Sequence, residues 1–213
     1  MTTMFDYSKA ILKAIKENPN NRGKKIEHCT LRLEMPLSKS NSYQFPLLDS
    51  DQKTAALTER RLSADDQFVP FAMALKHYVR DTSVVGSEII AQLNNFVDAQ
   101  KYPTTDVAVM NPAHLEALYK AEISLTRSNE VVMPALYTDI FRQVPEQQST
   151  AAFQNQTSEN DGFVPLLEAK RIYGNGQNVI RLDCPQFDYL WQYPAAANRQ
   201  VRVVLLMKGF KLS

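Results

Sequence analysis

The strongest hydrophobic signal lies near the end of the chain. The run Val201-Arg202-Val203-Val204-Leu205-Leu206-Met207 is apolar on both side-chain parities. This predicts a strand over Arg199 to Leu212 whose middle is covered on both faces, as at the centre of a sandwich or barrel. Two more sheet segments precede it, Phe163 to Tyr173 and Asn178 to Cys184. Gly174-Asn175-Gly176 between them reads as a tight hairpin, because glycine and asparagine tolerate the positive φ such turns demand. At the other end, Tyr7, Ala10, Ile11, Ala14 and Ile15 fall at helical spacing, with Asp6 as N-cap and Lys9, Lys13 and Lys16 on the opposite side. The amphipathic helix stops at Asn18-Pro19-Asn20-Asn21-Arg22-Gly23, where proline forbids continuation.

From Glu27 the period changes to two. Cys29, Leu31, Leu33 and Met35 share one face, and His28, Thr30, Arg32 and Glu34 the other, which predicts a half-buried strand. The next thirty or so residues, through Ser40-Asn41-Ser42 and Asp49-Ser50-Asp51, are polar and poorly periodic around Phe45-Pro46-Leu47-Leu48 and read as a long surface excursion. Val69 to Val79 alternates as a strand would, although Phe71, Leu75 and Tyr78 could also line a helix; the strand is the favoured reading. Ser87 caps a helix carrying Ile89, Ile90, Leu93, Phe96 and Val97, and Asn111-Pro112 opens a second short helix through Leu115, Leu118 and Tyr119. Ile123 to Met133 is expected to form a hairpin around Ser128-Asn129, and Tyr137 to Val144 an extended piece stopped by Pro145. Glu146 to Gly162 is rich in Gln, Asn, Ser and Thr, with Phe153 its one aromatic, and reads as a mobile loop or as an arm that becomes ordered on a neighbour.

The pattern amounts to a mainly β chain with helical inserts (α+β), arranged as an antiparallel β-sandwich. Residues 1–22 form an N-terminal helical arm, and residues 23–213 one β-rich domain with a polar loop at 146–162. The 213 residues suffice for one sizeable core without disulfides or metals. Lys and Arg number 24 and Asp and Glu 23, so a formal charge of +1 draws the chain neither to nucleic acid nor to an acidic membrane. Cys29 and Cys184, the only two cysteines, sit far apart in apolar alternating stretches and read as buried free thiols, which suit a reducing compartment. The first residues lack the basic and apolar regions of a signal peptide, and no run approaches the roughly 18 apolar residues of a membrane span.

Candidate chemistry is sparse. His28, His77 and His114 have no second ligand at a recognisable spacing, and His28 and Cys29 point to opposite faces of their strand. The carboxylate pairs Asp65-Asp66, Asp49 with Asp51 and Glu159 with Asp161 match no calcium loop and read as surface turns. Gly174-Asn175-Gly176 lacks the lysine and the following helix of a phosphate loop. No Gly-x-Ser-x-Gly elbow occurs. Neither a catalytic residue nor a cofactor is therefore assigned. The basic pairs Lys24-Lys25, Arg60-Arg61 and Lys170-Arg171 read as solvated faces, with nucleic-acid contact as the competing reading.

The order of parts, namely a helical arm at Asp6 to Lys16, the Ile123 to Met133 hairpin, the Tyr137 to Pro145 segment and the terminal Arg199 to Leu212 strand, resembles that of bacteriophage virion structural proteins. It is similar in particular to single jelly-roll capsid or minor capsid subunits. The resemblance implies a capsid, connector or decoration subunit, made in the host cytoplasm and located in the virion. Its partners would be further copies of itself and other virion structural proteins, and it would not be an enzyme. On this reading the contact residues are Tyr7, Ile11 and Ile15 of the arm, Phe153 of the polar loop, and Phe187, Tyr189, Trp191 and Tyr193, which alternate on one parity and would form an apolar stripe. Two bland readings stand beside it: the helix covers the core of its own domain, and the four aromatics belong to that core. Lying on a membrane surface is the least favoured role for the helix. The competing functions are a nucleic-acid or carbohydrate-binding module and a small enzyme with a dispersed active site.

Overall fold

A computed structural model describes residues 4–38, 40–48, 57–95, 112–128, 130–142, 162–166, 170–185 and 198–213. The helix α1 (Met4–Glu17) ends at a 3-10 turn over Pro19–Asn21. Nine strands follow: β1 (Ile26–Pro36), β2 (Ser42–Phe45), β3 (Gln67–Asp81), β4 (Glu122–Arg127), β5 (Glu130–Tyr137), β6 (Val164–Pro165), β7 (Ile172–Tyr173), β8 (Asn178–Asp183) and β9 (Arg199–Leu212). Between β3 and β4 come a single helical turn, α2 (Ser87–Ile90), and a 3-10 helix over Pro112–Lys120.

Among the described residues every pairing between these nine strands is antiparallel, and the strands divide into two sheets. One has the order β1-β9-β3, with β6 and β7 both on the far edge of β3; the other has the order β2-β8-β4-β5. Since β6 pairs with Ala72 and Met73 and β7 with Gln67 and Phe68, the two behave as one interrupted strand. The pairings are then nested: β1 with β9, β2 with β8, β3 with β6 and β7, β4 with β5. A long double-stranded ribbon with its tip at the β4–β5 hairpin has been rolled up until β9 bonds β3 and β8 bonds β4. Such a nested, rolled ribbon is a jelly roll, and the antiparallel sandwich with its N-terminal helix is the architecture the hydrophobic pattern predicts.

The core lies between the sheets. Leu31 and Leu33 of β1, Met73 and Leu75 of β3, and Val203, Leu205 and Met207 of β9 face Tyr43, Phe45, Ile123, Leu125, Ile180 and Leu182 of the other sheet. The strand β9 is buried from Val201 to Met207 because both its faces are covered. Its inner parity meets the sandwich core; its outer parity meets the segments laid over the first sheet. The helix α1 is one of these covers. Tyr7, Ile11, Leu12 and Ile15 pack on Val69, Phe71, Phe210 and Leu212, and the Tyr7 hydroxyl donates to the Leu166 carbonyl. A buried aliphatic side chain such as Ile15 contributes about 1.5–3 kcal/mol, which ties the helix to its own sheet.

Several local expectations are corrected. The turn at Gly174–Gly176 is no hairpin, since β7 belongs to one sheet and β8 to the other. Glycine is required there by close approach, because a Cβ on Gly174 would lie 2.0 Å from the Ser63 carbonyl oxygen. Among its described residues the segment Phe163 to Tyr173 contains two short strands, β6 and β7, in place of one continuous sheet segment. The helix begun at Ser87 ends at Ile90: Ala91 turns extended, and Asn94 exchanges backbone hydrogen bonds with His77 at the edge of β3. Phe96 and Val97 lie outside the described residues. After Tyr137 the chain makes a 3-10 turn over Thr138–Phe141 in place of an extended piece, fixed by the Thr138 hydroxyl, which donates to the Leu118 carbonyl at 2.6 Å and accepts from the Ala121 amide at 3.0 Å. The excursion after β1 contributes to the core through Leu37, Tyr43, Phe45, Leu47 and Leu62, all buried. The alternation of Tyr43 and Phe45 was its signal, hidden by the shortness of β2.

Candidate functional site

Among the described residues two features stand out. The first is a buried ionic cluster on the outer face of the first sheet. Antiparallel register places Glu34 of β1 beside Val204 of β9, and Tyr78 of β3 beside Arg202 of β9, so these side chains share a face. The Glu34 carboxylate accepts from Arg32 Nε at 2.7 Å, Thr58 Oγ1 at 2.5 Å, the Tyr78 hydroxyl at 2.6 Å and Arg202 Nε at 3.1 Å. Its backbone N–H donates to Glu59, which in turn pairs with Arg61 at 2.9 Å. Burial works against ionisation of Glu34, but donation from Thr58 and Tyr78 and the charge of Arg32 outweigh it, holding the carboxyl below its ordinary range. Burial and the Glu34 charge push the Tyr78 phenol up, so it stays a donor at any working pH. The cluster ties together β1, β3, β9 and the 58–61 segment, whose Arg60 bridges Arg32 through backbone bonds. Its fully engaged carboxylate holds no open position for a substrate; it is built to fix register.

The second feature is an apolar tip. Beyond β3 the chain turns over 82–86 into α2. Gly86 adopts φ +77, a conformation that side-chain-bearing residues rarely take. Within α2 the usual arrangement is inverted. Ser87 and Glu88 are buried, while Ile89 and Ile90 are 65% and 86% exposed; Val84 and Val85, just before, are 50% and 93% exposed. The inversion is held from below. Ser87 Oγ donates to the Asp81 carbonyl at 2.7 Å, and Arg80 pairs with Glu88 at 3.3 Å. The Asp81 carboxylate accepts from the Ser83 amide at 2.9 Å, and the Thr82 amide donates to the Asn198 carbonyl at 2.7 Å. Four β-branched side chains are thus presented to solvent on a turn anchored to the two longest strands.

Of the expected contact residues, Tyr7, Ile11 and Ile15 are brought together, and their apolar faces are turned onto their own sheet. Phe153, Phe187, Tyr189, Trp191 and Tyr193 lie outside the described residues. The histidines are dispersed. His28 is exposed against the rings of Phe71 and Phe210; His77 is fully buried, with Nδ1 3.1 Å from the Tyr119 hydroxyl; the side chain of His114 lies outside the described residues. Among the described residues no three His, Cys, Asp or Glu side chains converge as metal ligands would. Of the basic pairs, Arg61 is spent internally on Glu59, and Arg171 donates to Gln67 at 3.0 Å. Both cysteines are free thiols, Cys184 buried and Cys29 half-buried. A recess between the sheets, lined by Met73, Met133, Leu166 and Met207 with Lys170 beside them, offers about 20 Å³, room for a water and no organic ligand. No helix among the described residues is long and apolar enough to cross a membrane.

Comparison with protein-family models, with curated proteins and with solved structures finds no match to this chain. Sequence reasoning passed over both features. The signal for the tip was two pairs of adjacent β-branched residues, Val84-Val85 and Ile89-Ile90, beside a glycine: neighbours in one helical turn cannot both face inward. The signal for the cluster was a charge inside an apolar run, Arg202 between valines, opposite the polar parity of β1.

Proposed function

We propose that this chain is a structural subunit that works through protein–protein contacts, as a capsid, connector or decoration subunit of a bacterial virus does. The observation that carries the reading is the inverted tip, where Val84, Val85, Ile89 and Ile90 face solvent while Ser87 and Glu88 are held beneath them. Exposed apolar groups that rely on buried polar groups for support cost stability in the isolated chain, and a surface of this kind is characteristic of an interaction site. The rolled ribbon supports the same reading, since jelly rolls recur in viral capsids; they also serve lectins, so the fold alone does not decide function.

The test compares the wild-type chain with V85D/I90D by sedimentation velocity over a wide concentration range. Both substitutions fall on exposed positions, so the melting transition should be unchanged. The wild type is expected to shift to larger species as concentration rises, and the variant to remain a monomer. A wild-type chain that stays monomeric throughout overturns the proposal.

A further inference from the structure

The formal charge of +1 conceals an uneven distribution. Residues 4–25 hold six basic side chains, Lys9, Lys13, Lys16, Arg22, Lys24 and Lys25, against two acidic ones, Asp6 and Glu17. Subtracted from totals of 24 and 23, they leave 18 basic against 21 acidic side chains over the rest of the chain. The positive end is also fixed in space. Because Tyr7, Ile11, Leu12 and Ile15 are turned onto the first sheet, Lys9, Lys13 and Lys16 fall on the opposite side of α1, and all three are exposed. At 1.5 Å of rise per residue they form a ridge about 10 Å long. The turn at its foot continues it with Arg22 and Lys25, both exposed. Two of these cations have acidic neighbours, Lys13 at 3.8 Å from Glu17 and Lys25 beside Glu27. Both pairs lie in solvent, where such contacts are weak enough to be exchanged for phosphate.

The kind of partner follows from what this face lacks. Among its described side chains, the exposed positions of α1 hold only charged residues and alanines. A protein partner needs an aromatic or aliphatic anchor at the centre of its contact, and none is offered. A bilayer surface needs the apolar stripe of the helix, which is already spent on Val69, Phe71, Phe210 and Leu212. A phosphate backbone needs neither, since counterion release by a row of cations supplies its affinity. With no exposed aromatic ring there for an unpaired base to stack on, the fit is to a duplex. We infer that the solvent face of α1, with the turn after it, binds nucleic acid through the phosphates of a duplex, without reading bases. The site lies beside Val69 and Phe71 near the start of β3, whereas the apolar tip follows Asp81 at its end, so both surfaces can be occupied at once.

The test follows fluorescence anisotropy of labelled DNA duplexes of about 20 base pairs, in two unrelated sequences, titrated with the full chain at about 25 to 200 mM salt. The two sequences should bind alike; a marked preference for one would overturn the claim that bases go unread. K9Q/K13Q/K16Q replaces three exposed side chains by one of similar helix propensity, so its melting transition should match the wild type. It should bind about tenfold or more weakly at the lowest salt, and the slope of log affinity against log salt should flatten by about 3, because three phosphate contacts are lost. K120Q/K170Q/R181Q removes the same charge from exposed positions elsewhere and should bind as the wild type does. If the two triple variants lose affinity equally, the attraction is bulk charge and the inference is overturned. It is overturned too if the wild type binds neither duplex, or if it binds phosphatidylserine vesicles and not DNA, the partner then being an acidic lipid surface.

Discussion

Replacing Glu34 by Gln is the sharpest probe of what holds the first sheet together. The side chain is fully buried and its two oxygens accept from Arg32, Thr58, Tyr78 and Arg202. Glutamine keeps the shape but loses the charge and one acceptor, leaving Arg202, 7% exposed, without its counter-ion. Removing one partner of a buried ion pair costs about 3–5 kcal/mol, because the surviving charge stays desolvated. Against a total stability of about 5–15 kcal/mol this is a large fraction, and for a chain of this length it lowers the melting temperature by about 6–20 °C. Urea unfolding followed by far-UV circular dichroism measures it; the midpoint should fall with the slope unchanged. The pH dependence follows from the lowered carboxyl pKa. A group whose folded pKa lies below the unfolded value, about 4.3 for glutamate, contributes its full stability above that value and loses it as pH falls through the folded pKa. The gap between wild type and E34Q should therefore be widest at neutral pH and close below about pH 4. The variant E34Q/R202M, which removes both charges, should lose much less than the sum of the two single substitutions. An E34Q loss under about 1 kcal/mol, or strict additivity with R202M, would refute the claim that the cluster acts as one unit.

Two further outcomes follow from the packing. Burial pushes the Cys184 thiol up to about 12 and also raises that of half-buried Cys29, so iodoacetamide at pH 8 should label Cys29 slowly and Cys184 only on unfolding; mass spectrometry showing both labelled at one rate would contradict this. In G209A the new methyl would lie 2.4 Å from a Phe68 ring carbon and 2.5 Å from the Val69 carbonyl oxygen, where β9 passes the bulge in β3, and overpacking of this kind costs about 1–3 kcal/mol in a thermal or urea melt.

The fold was legible wherever one residue pattern sufficed to bury one face. The alternation in β1, the two-sided burial of β9 and the helical stripe of α1 were each visible because tertiary neighbours only confirmed what the local period required. Legibility ended where a distant neighbour decided the outcome. Gly174 is a crossing between sheets because Ser63 lies against it, and α2 stops after one turn because His77 takes Asn94 into the edge of β3. The short strand β2 has too few residues to show a period, and its partner β8 is remote in sequence. At the candidate site the same limit applies. That Glu34, Arg202 and Tyr78 share a face depends on a register spanning most of the chain, and that Ile89 and Ile90 face outward depends on the Arg80–Glu88 pair beneath them.

The place of β9 between β1 and β3 has a consequence for how the protein is made. The two flanking strands do not pair with each other; each finds its long hydrogen-bonding partner in residues 199–212, and β3 adds only the short pairings with β6 and β7 on its other edge. While the ribosome is still adding the preceding hundred or so residues, β1 and β3 wait with open backbone edges, and pairing between such distant segments is slow to form. A nascent chain stalled before Arg199 would expose two long apolar ribbons at once, so synthesis is the period in which this polypeptide most needs a holdase chaperone.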